Sequence, residues 1–278
     1  MSKKKKDIFL PSLGAGEELI DTHCHLDMEA YSDDLEAVLS RSRRAGVSRI
    51  VTVGIDRESS EKAIRLAETC DGVYATVGVH PHNVQDFSDE GDYDVLRLLC
   101  RHEKVVAYGE IGLDYVKDYA PIPLQKEHFA RQLSLAGEFS LPVVIHDREA
   151  HADILDMLKA AAPFTAGGVM HCFSGDAEYA REVLDFGFLI SIPGVVTFSK
   201  AEVLQDAVRN IPLSSLILET DGPFLAPVPH RGRRNEPSYL IHTAQMVADL
   251  KGISLAEVAR QTTQNAIRLF SLNKQDCA

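Results

Sequence analysis

The run LIDTHCHLD, residues 19–27, places His23 and His25 at alternate positions near the start of the chain. In an extended strand, side chains two residues apart point to the same face, so the two imidazoles would project together. Paired imidazoles on one face are suited to a shared metal ion. A lone His-x-His pair also fits an ordinary polar strand end, so the metal site needs further ligands from elsewhere in the chain.

Further ligand-type residues stand at the ends of short apolar runs. They are His80 and His82 in GVHPH, Glu110 in YGEIGLD, His146 in VVIHDRE, His171 in VMHCFSG and Asp221 in LILETDGP. Glu110 gives the strongest single indication, because burying a carboxylate without a partner charge is costly. His171 alone would favour a hydrogen-bonded core histidine. Six ligand-type residues at strand ends, taken together, favour one shared site; they are His23, His25, Glu110, His146, His171 and Asp221.

The apolar runs alternate with amphipathic helical patterns along the whole chain. Candidate strands begin near Leu19, Val47, Tyr74, Val105, Leu141, Gly168, Phe188 and Ser215. Helical patterns cover residues 33–45, 58–69, 124–139, 152–161, 177–186 and 201–209, and two further helices lie around 239–250 and 254–270. Eight β/α units is the number found in a TIM barrel.

An open doubly wound sheet would show the same alternation, and the ligand-type residues distinguish the two folds. Five strands of a flat sheet span roughly 19 Å, at about 4.8 Å per gap. Metal ligands lie only about 2 Å from their ion. Closing the sheet brings all carboxyl ends around one mouth, so we predict a single α/β domain. The expectation is a (β/α)8 TIM barrel over residues 19–278, with a metal site at its C-terminal mouth and a flexible leader over residues 1–18.

Composition and charge restrict the class of protein. The chain has 278 residues, of which 45% are apolar and 25% charged, as in an ordinary globular domain. The net charge of −12 argues against a protein that coats nucleic acid through a broad basic face. It does not exclude a nuclease, which needs only local positive charge in its pocket.

Cysteine usage and the N-terminal residues indicate a cytoplasmic location. The cysteines are odd in number, without a Cys-x-x-Cys pair, which favours reduced thiols; they are Cys24, Cys70, Cys100, Cys172 and Cys277. The lysine run at Lys3–Lys6 is followed by no apolar stretch of signal-peptide length. We therefore expect no membrane partner, and a nucleic-acid contact by this leader stays an alternative.

At these residues the chain resembles the TatD family of metal-dependent deoxyribonucleases. The motifs occur in the family's order along nearly the whole chain, as IDTHCHLD, GVHPH, GEIGLD, HCFSG, LETDGP, RRNEP and TTQNAIRLF. The resemblance implies a cytoplasmic hydrolase that cleaves DNA phosphodiester bonds and trims single-stranded DNA from the 3′ end. It does not imply a stable protein partner. Gly222 is a departure, since many family members carry Ala there, and we expect it to change only local backbone freedom.

The resemblance also implies two divalent metal ions that share one carboxylate. One ion would be held by His23, His25, Glu110 and Asp221, and the second by Glu110, His146 and His171. Imidazole with carboxylate suits Zn²⁺ or Mn²⁺ and leaves Mg²⁺ open. Two metals about 3.5–4 Å apart can stabilise both the attacking and the leaving oxygen of a phosphoryl displacement. Asp221 would then orient or deprotonate the attacking water.

Several further residues are candidates for contacts with the substrate. We expect His80 in the pocket, where it would donate to a phosphate oxygen or protonate the leaving group, while His82 fits a solvated loop. Arg148 would share the face of His146 and clamp a phosphate, or would form a surface ion pair with a neighbouring acid.

The loop PVPHRGRRNEP follows the last strand and concentrates Arg231, Arg233 and Arg234 in an acidic protein. The last loops of barrels often bind phosphate, so Arg231 and Arg233 are candidates for contacts with the DNA backbone. The alternative is that one or more of these arginines pair with Glu236 and fix the loop.

Two other functions fit the same residues. The first is a metal-dependent amidohydrolase or ester hydrolase, for example one that acts on an aminoacyl-tRNA ester. Many amidohydrolases bridge their metals with a carboxylated lysine, whereas strand four here ends in Glu110 and its nearest lysine, Lys104, precedes the strand. This favours the phosphoesterase. The second is a non-catalytic, metal-binding scaffold in DNA processing.

Overall fold

A computed structural model describes residues 11–87 and 90–272 of the chain. In these residues eight parallel strands form one sheet whose spatial order is the order of the sequence, β1 to β8. An isolated parallel bridge between Cys24 and Gly222 joins the first strand to the segment after the last. The sheet is therefore a nearly closed barrel, and the predicted (β/α)8 fold is confirmed.

The strands and helices alternate as the sequence predicted. The strands are β1 Leu19–Cys24, β2 Val47–Thr52, β3 Val73–Val77, β4 Val105–Asp114, β5 Val143–Arg148, β6 Gly168–Met170, β7 Leu189–Ile192 and β8 Leu216–Leu218. The helices are α1 Leu35–Arg44, α2 Arg57–Thr69, α3 Glu90–Leu99, α4 Ile122–Glu138, α5 His151–Ala161, α6 Ala177–Asp185, α7 Glu202–Asn210, α8 Leu240–Lys251 and α9 Leu255–Phe270.

Helix α3 is the element that the sequence analysis missed. Its first turn carries Glu90, Gly91 and Asp92, which are weak indications of a helix interior. Its buried positions are Tyr93 and Leu96, a narrow apolar stripe of two residues at helical spacing. Packing of that stripe against the core therefore decides the structure of this segment.

The barrel interior is built in layers. One apolar cluster takes a residue from every strand, which is possible only inside the barrel, together with Phe270 of α9; its strand members are Ile20, Val51, Tyr74, Ala107, Val144, Val169, Leu189 and Ile217. Since side chains two residues apart share a face, the next layer towards the carboxyl ends is set by alternation. That layer contains His146, His171 and Glu219. Helix α9 thus covers one end of the barrel, and polar side chains fill the other.

Part of the predicted leader lies outside the described residues, namely residues 1–10 with their lysine run, and so does Cys277. Within residues 11–18, Leu13 packs against the core and Glu18 accepts a 2.5 Å hydrogen bond from the Ser48 hydroxyl. The domain boundary at residue 19 stays a prediction. None of the helices in the described residues is both long and apolar enough to span a membrane.

Candidate metal centre

The first group of ligand-type side chains joins the two ends of the barrel sheet, and we call His23, His25 and Asp221 the β1–β8 group. The Asp221 N–H donates to the His23 carbonyl at 2.9 Å, and the His25 N–H donates to the Gly222 carbonyl at 2.7 Å. These bonds place both imidazoles opposite the carboxylate. The Nε2 atoms of His23 and His25 lie 3.4 Å apart. Asp221 Oδ1 lies 3.5 Å from His25 Nε2.

The second group lies across the mouth, and we call His80, Glu110 and His146 the β4–β5 group. Glu110 Oε1 lies 2.8 Å from His146 Nδ1 and 3.5 Å from His80 Nε2. His80 Nε2 and His146 Nδ1 are 3.3 Å apart. His82, which the sequence left as a solvated loop residue, is half-buried, and its Nε2 lies 2.8 Å from Asp114 Oδ2.

Glu110 connects the β4–β5 group, of which it is a member, to the rest of the centre. Its Oε1 lies 3.2 Å from His171 Nε2, and its Oε2 lies 3.3 Å from His23 Nε2 of the β1–β8 group. Its side chain is only 3% exposed. Burial alone would raise the pKa of this carboxyl, but the surrounding imidazoles of His171, His80 and His23 hold it well below its usual range. Glu110 therefore offers an ionised oxygen to each side of the centre.

Buried carboxylates support the imidazoles of the centre from behind. Asp114 Oδ2 lies 3.2 Å from His146 Nε2. Glu219 is fully buried, faces His171 Nδ1 at 3.1 Å and accepts from the Cys172 N–H at 2.7 Å. Carboxylates behind metal-binding histidines commonly fix the ring orientation and raise its basicity.

The charge balance of the centre suits bound cations. Burial works against ionisation of Asp221, but its bond to His25 and the neighbouring imidazoles lower its pKa below the usual value. Burial opposes a charge on His171 too, yet Glu219 and Glu110 raise its pKa well above normal. The carboxylates thus draw positive charge into the buried site, and divalent ions can supply that charge.

The spacing of the ligand atoms also fits metal ions. An ion with tetrahedral ligands at about 2.0–2.1 Å separates those ligand atoms by about 3.3 Å. The separations around Glu110 and Asp221 run from 2.8 Å to 3.9 Å. In the described residues the Nδ1 atoms of His23 and His25 are buried without a hydrogen-bond partner, so their Nε2 atoms provide the converging contacts.

Four sets of three side chains bring ligand atoms within 4.8 Å of one another in the described residues. They are His23, Glu110 and His171; His23, His25 and Asp221; His80, Glu110 and His146; and His171, Cys172 and Asp221. All six ligands expected from the sequence occur in these sets. His80, expected to contact substrate, lies as close to Glu110 and His146 as a ligand would.

The predicted substrate arginines lie at the exposed rim. The Arg148 side chain is 49% exposed, and its Nη1 lies 3.9 Å from Asp114 Oδ2. Arg231 is exposed and covers the Phe198 ring at 4.4 Å, and Arg233 is exposed in the same loop.

The alternative role of this loop, fixation by ion pairs, is what the structure shows for Arg234. Its guanidinium bonds both carboxylate oxygens of Asp34 at 2.7 Å and 2.9 Å. Glu236 lies 3.7 Å from Arg234 and is bound mainly by Arg41, at 2.8 Å. These pairs attach the segment after β8 to Asp34, just before α1, and to Arg41 in the last turn of α1.

Sequence reasoning missed three buried residues that hold the site. Asp114 follows Glu110 by four residues on β4, so alternation could have found it. Asp21 accepts from the Thr220 N–H at 2.9 Å and from its hydroxyl at 2.5 Å, and burial raises the pKa of this carboxyl to about 7. The Asn235 amide donates to the carbonyls of Thr220 at 2.7 Å and Phe224 at 2.6 Å, which no local pattern indicated.

Gly222 needs a correction, because its role goes beyond backbone freedom. A Cβ at this position would lie 2.4 Å from the Tyr31 hydroxyl and 3.0 Å from Cys24 Sγ. The Tyr31 hydroxyl donates to the Asn235 carbonyl at 2.7 Å. Gly222 therefore leaves the space that this buried hydrogen bond occupies.

Comparison with known proteins adds independent information. The family model described as "TatD related DNase" matches residues 20–271. The chain is 46% identical to the "Uncharacterized metal-dependent hydrolase YabD" of Bacillus subtilis, over 92% of this chain and all of that protein. It is 37% identical to the "3′-5′ ssDNA/RNA exonuclease TatD" of Cronobacter sakazakii, over 92% of this chain and 98% of that one.

A solved structure supports the same similarity. The crystal structure of the TatD homologue YjjV from Escherichia coli matches with a TM-score of 0.87 and 32% identity. The match covers 92% of this chain and 98% of that one. Sequence and architecture therefore agree over nearly the full barrel.

Proposed function

The chain belongs to the TatD family of metal-dependent hydrolases, and on that basis we propose that it hydrolyses DNA phosphodiester bonds with two divalent metal ions. The substrate would be single-stranded DNA, cleaved from its 3′ end. The observation that carries the proposal is the position of Glu110, whose two oxygens face two separate groups of ligand-type side chains at 3.3 Å and 2.8 Å. A relative of this chain is named a 3′-5′ ssDNA/RNA exonuclease, which supports the substrate class.

One proposed ligand set is the β1–β8 group with Glu110, and the other takes Glu110 and His146 from the β4–β5 group together with His171. His23, His25, Glu110 and Asp221 would hold one ion, and Glu110, His146 and His171 the second. Mg²⁺, Mn²⁺ and Zn²⁺ are all compatible with this mixture of imidazole and carboxylate. When bound, the ions would lower the pKa of a water molecule and stabilise negative charge on the attacking and leaving oxygens.

Asp221 is the proposed base. Its carboxylate is buried at the mouth, and its lowered pKa keeps it ionised so that it can accept a proton. Its backbone is fixed by the bond from its own N–H to His23, so the carboxylate has a defined position relative to the first group. A base must lie within hydrogen-bond reach of the proton that it takes, and this fixation provides that reach.

His80 is the proposed donor to the phosphate or to the leaving oxygen. The His82 N–H donates to His80 Nδ1 at 3.0 Å, so in the neutral ring the proton is on Nε2, the atom that faces Glu110 and His146. Burial lowers the pKa of His80 well below normal, which favours this neutral form. Arg148, Arg231 and Arg233 are proposed contacts for phosphates further along the strand.

The proposal is tested with a labelled single strand. The purified chain, stripped of metal and then given Mg²⁺, Mn²⁺ or Zn²⁺ separately, should release mononucleotides from a 5′-labelled oligonucleotide, shortening it from the 3′ end. Glu110→Ala serves as the matched inactive control for contaminating nucleases. If pure protein left DNA intact with every metal but hydrolysed amides or aminoacyl esters, the deoxyribonuclease would be replaced by the rival hydrolase. The cytoplasmic location stays a prediction.

A further inference from the structure

Two aromatic rings are exposed at the rim of the metal centre. Tyr119, in the loop after β4, is 57% exposed, and Phe224, in the loop after β8, is 49% exposed. No other Phe or Tyr side chain in residues 11–87 and 90–272 is exposed. Aromatic rings have much apolar surface to bury, so exposure of only these two, both in loops at the mouth, indicates a binding role.

Each ring packs against a histidine of a different part of the centre. The Phe224 ring meets His25 of the β1–β8 group edge-on, with centroids 6.0 Å apart. The Tyr119 ring meets His82 edge-on at 4.7 Å, and His82 shares Asp114 with His146 of the β4–β5 group. Because β4 and β8 are four strands apart in a ring of eight, the two aromatic side chains lie on opposite sides of the mouth.

The backbone around both rings is held by the residues of the site. The Phe224 N–H donates to the Asp221 carbonyl at 2.8 Å, and its own carbonyl accepts from the buried Asn235 amide at 2.6 Å. On the other side, Asp114 Oδ1 accepts from the N–H groups of Val116 and Lys117 at 2.9 Å and 3.0 Å. The residues of the site thus hold the backbone of Phe224 and the start of the loop that carries Tyr119.

We propose that Phe224 and Tyr119 are two base-stacking positions of the substrate groove, one on each side of the scissile phosphate. This inference rests on the proposed function, because it takes a single-stranded nucleic acid as the substrate. Stacking of bases on aromatic rings is tolerant of sequence, as a trimming enzyme requires. A chain with a net charge of −12 also gains little affinity from a broad basic surface, so stacking would add to the affinity that local phosphate contacts supply.

The proposed arrangement would favour single strands over duplexes. Bases that are paired in a duplex are stacked on their own neighbours, so their faces are not free to lie against protein rings. Only an unpaired end can place two successive bases against rings on opposite sides of the metal centre. The two rings would thereby select the substrate, while the carboxylates and imidazoles between them act on its phosphate.

The experiment compares ends that have or lack a base. Three oligonucleotides carry a complete 3′ end, an abasic residue in the last position, or an abasic residue in the penultimate position. The kcat/KM of the first cleavage is measured for the wild type, Phe224→Ala and Tyr119→Ala. The wild type should prefer a base at each position by about tenfold, the scale of one stacked base. Each alanine variant should lose the preference for a base at one of the two positions and keep it at the other. Phe224→Ala and Tyr119→Ala should lose it at different positions.

Conservative and neighbouring substitutions provide the controls. Phe224→Tyr and Tyr119→Phe keep a ring and should keep both preferences. Leu225→Ala and Val116→Ala remove exposed apolar side chains from the same two loops, and they should also leave both preferences unchanged. Each alanine variant should cleave the strand that lacks the base at its own position as fast as the wild type does. Equal rates on that strand would show that the metal centre of the variant is intact.

The outcomes separate this inference from the proposed function. If the wild type cleaves none of the strands, the proposed nuclease function is wrong, and the proposed stacking positions are wrong with it. Cleavage at equal rates with and without a base, or variants that keep wild-type preferences, would overturn the stacking role while leaving the hydrolase in place. Loss of preference at the same position in both variants would overturn the two-sided arrangement.

Discussion

The two sides of the barrel mouth offer the same kinds of ligand, but they are supported in different ways. In the β1–β8 group the support reaches the backbone: Asp21 and Asn235 bond Thr220, the residue before Asp221. The Nδ1 atoms of His23 and His25 have no hydrogen-bond partner in the described residues. In the β4–β5 group the support reaches a ring directly, since Asp114 bonds His146 at 3.2 Å.

This difference separates two tasks of a hydrolytic site. A carboxylate behind an imidazole sets the ring orientation and its basicity before any ion arrives, which prepares the β4–β5 side to bind a cation. Backbone support instead sets where a side chain stands, which suits a residue that must meet a reacting water. We infer that the β4–β5 side is built chiefly for metal affinity and the β1–β8 side for the position of Asp221.

Glu110 is common to both sides, so its removal should have the largest effect. In Glu110→Ala each proposed ion loses an oxygen, and the imidazoles lose the carboxylate that separates them. Metal affinity should fall by more than about 100-fold, beyond the effect of removing a group that only supports a ligand. Metal analysis after gel filtration should then find neither ion, and hydrolysis should be undetectable. His23→Ala, the matched change on one side, should release chiefly one ion. Full two-ion occupancy in Glu110→Ala would exclude the shared role.

Asp221→Asn tests whether the β1–β8 side serves the chemistry. The amide keeps the shape of the side chain and one oxygen but cannot accept the proton of the attacking water. We expect kcat to fall by about 10²-fold or more, the usual scale of a general-base contribution, with DNA binding nearly unchanged. Single-turnover rates and a filter-binding titration measure the two quantities separately. Weakened DNA binding with an unchanged kcat would make Asp221 a positioning residue and would require another base.

Asp114→Asn and Asp21→Asn form a pair that tests the comparison itself. Asp114 touches the His146 ring, so its neutral amide should weaken one ion by about 10–100-fold, the usual effect of losing such a partner. Asp21 touches Thr220 and backbone, so the same change there should leave metal content as in the wild type. Competition with a chromogenic chelator measures both variants. Equal metal loss in both would show that the two sides are supported alike.

The sequence was enough to predict the barrel and to find the ligand-type side chains that the structure brings together at its mouth, because both depend on local regularities. Alternation fixes which side chains share a face, and most of the ligand-type residues stand where an apolar run ends. Glu110 is the exception, because β4 continues to Asp114 and carries Glu110 in its interior, at a register shift between Tyr108 and Ile111. The barrel layers therefore place His146, His171 and Glu219 above the apolar cluster as their spacing requires.

The supports could not be predicted, because they depend on closure of the sheet. Tyr31 and Asn235 are 204 residues apart, and Asp21 and Thr220 are 199 apart, so no window of sequence contains either pair. The exposure of Tyr119 and Phe224 could not be predicted either, because the burial of an aromatic residue in a loop depends on neighbours that the local sequence does not show. The position of Asp114 could have been predicted, because it follows Glu110 by four residues on the same strand and alternation puts both on one face.

Gly222→Ala should have the smallest effect, and it acts on the β1–β8 side alone. The added methyl group would meet the Tyr31 hydroxyl at 2.4 Å, so either Tyr31 or the segment that carries Asp221 must shift. Overpacking of this kind costs about 1–3 kcal/mol in free energy of unfolding. Because Tyr31 bonds the Asn235 carbonyl, a modest fall in kcat should accompany the loss, while metal affinity on the β4–β5 side stays as in the wild type.

Tyr31→Phe tests whether the Tyr31 hydroxyl causes this cost, because it removes only the hydroxyl that the methyl group would meet. In the double variant the cost of Gly222→Ala should largely disappear, giving a favourable coupling energy in a double-mutant cycle of urea unfolding. Additive effects would mean that the clash is relieved elsewhere, for instance at Cys24 Sγ, 3.0 Å from the new carbon. A Gly222→Ala variant that also lost metal at the β4–β5 side would contradict the separation of the two sides, since nothing at Gly222 contacts Asp114 or His146 in the hydrogen bonds of the described residues.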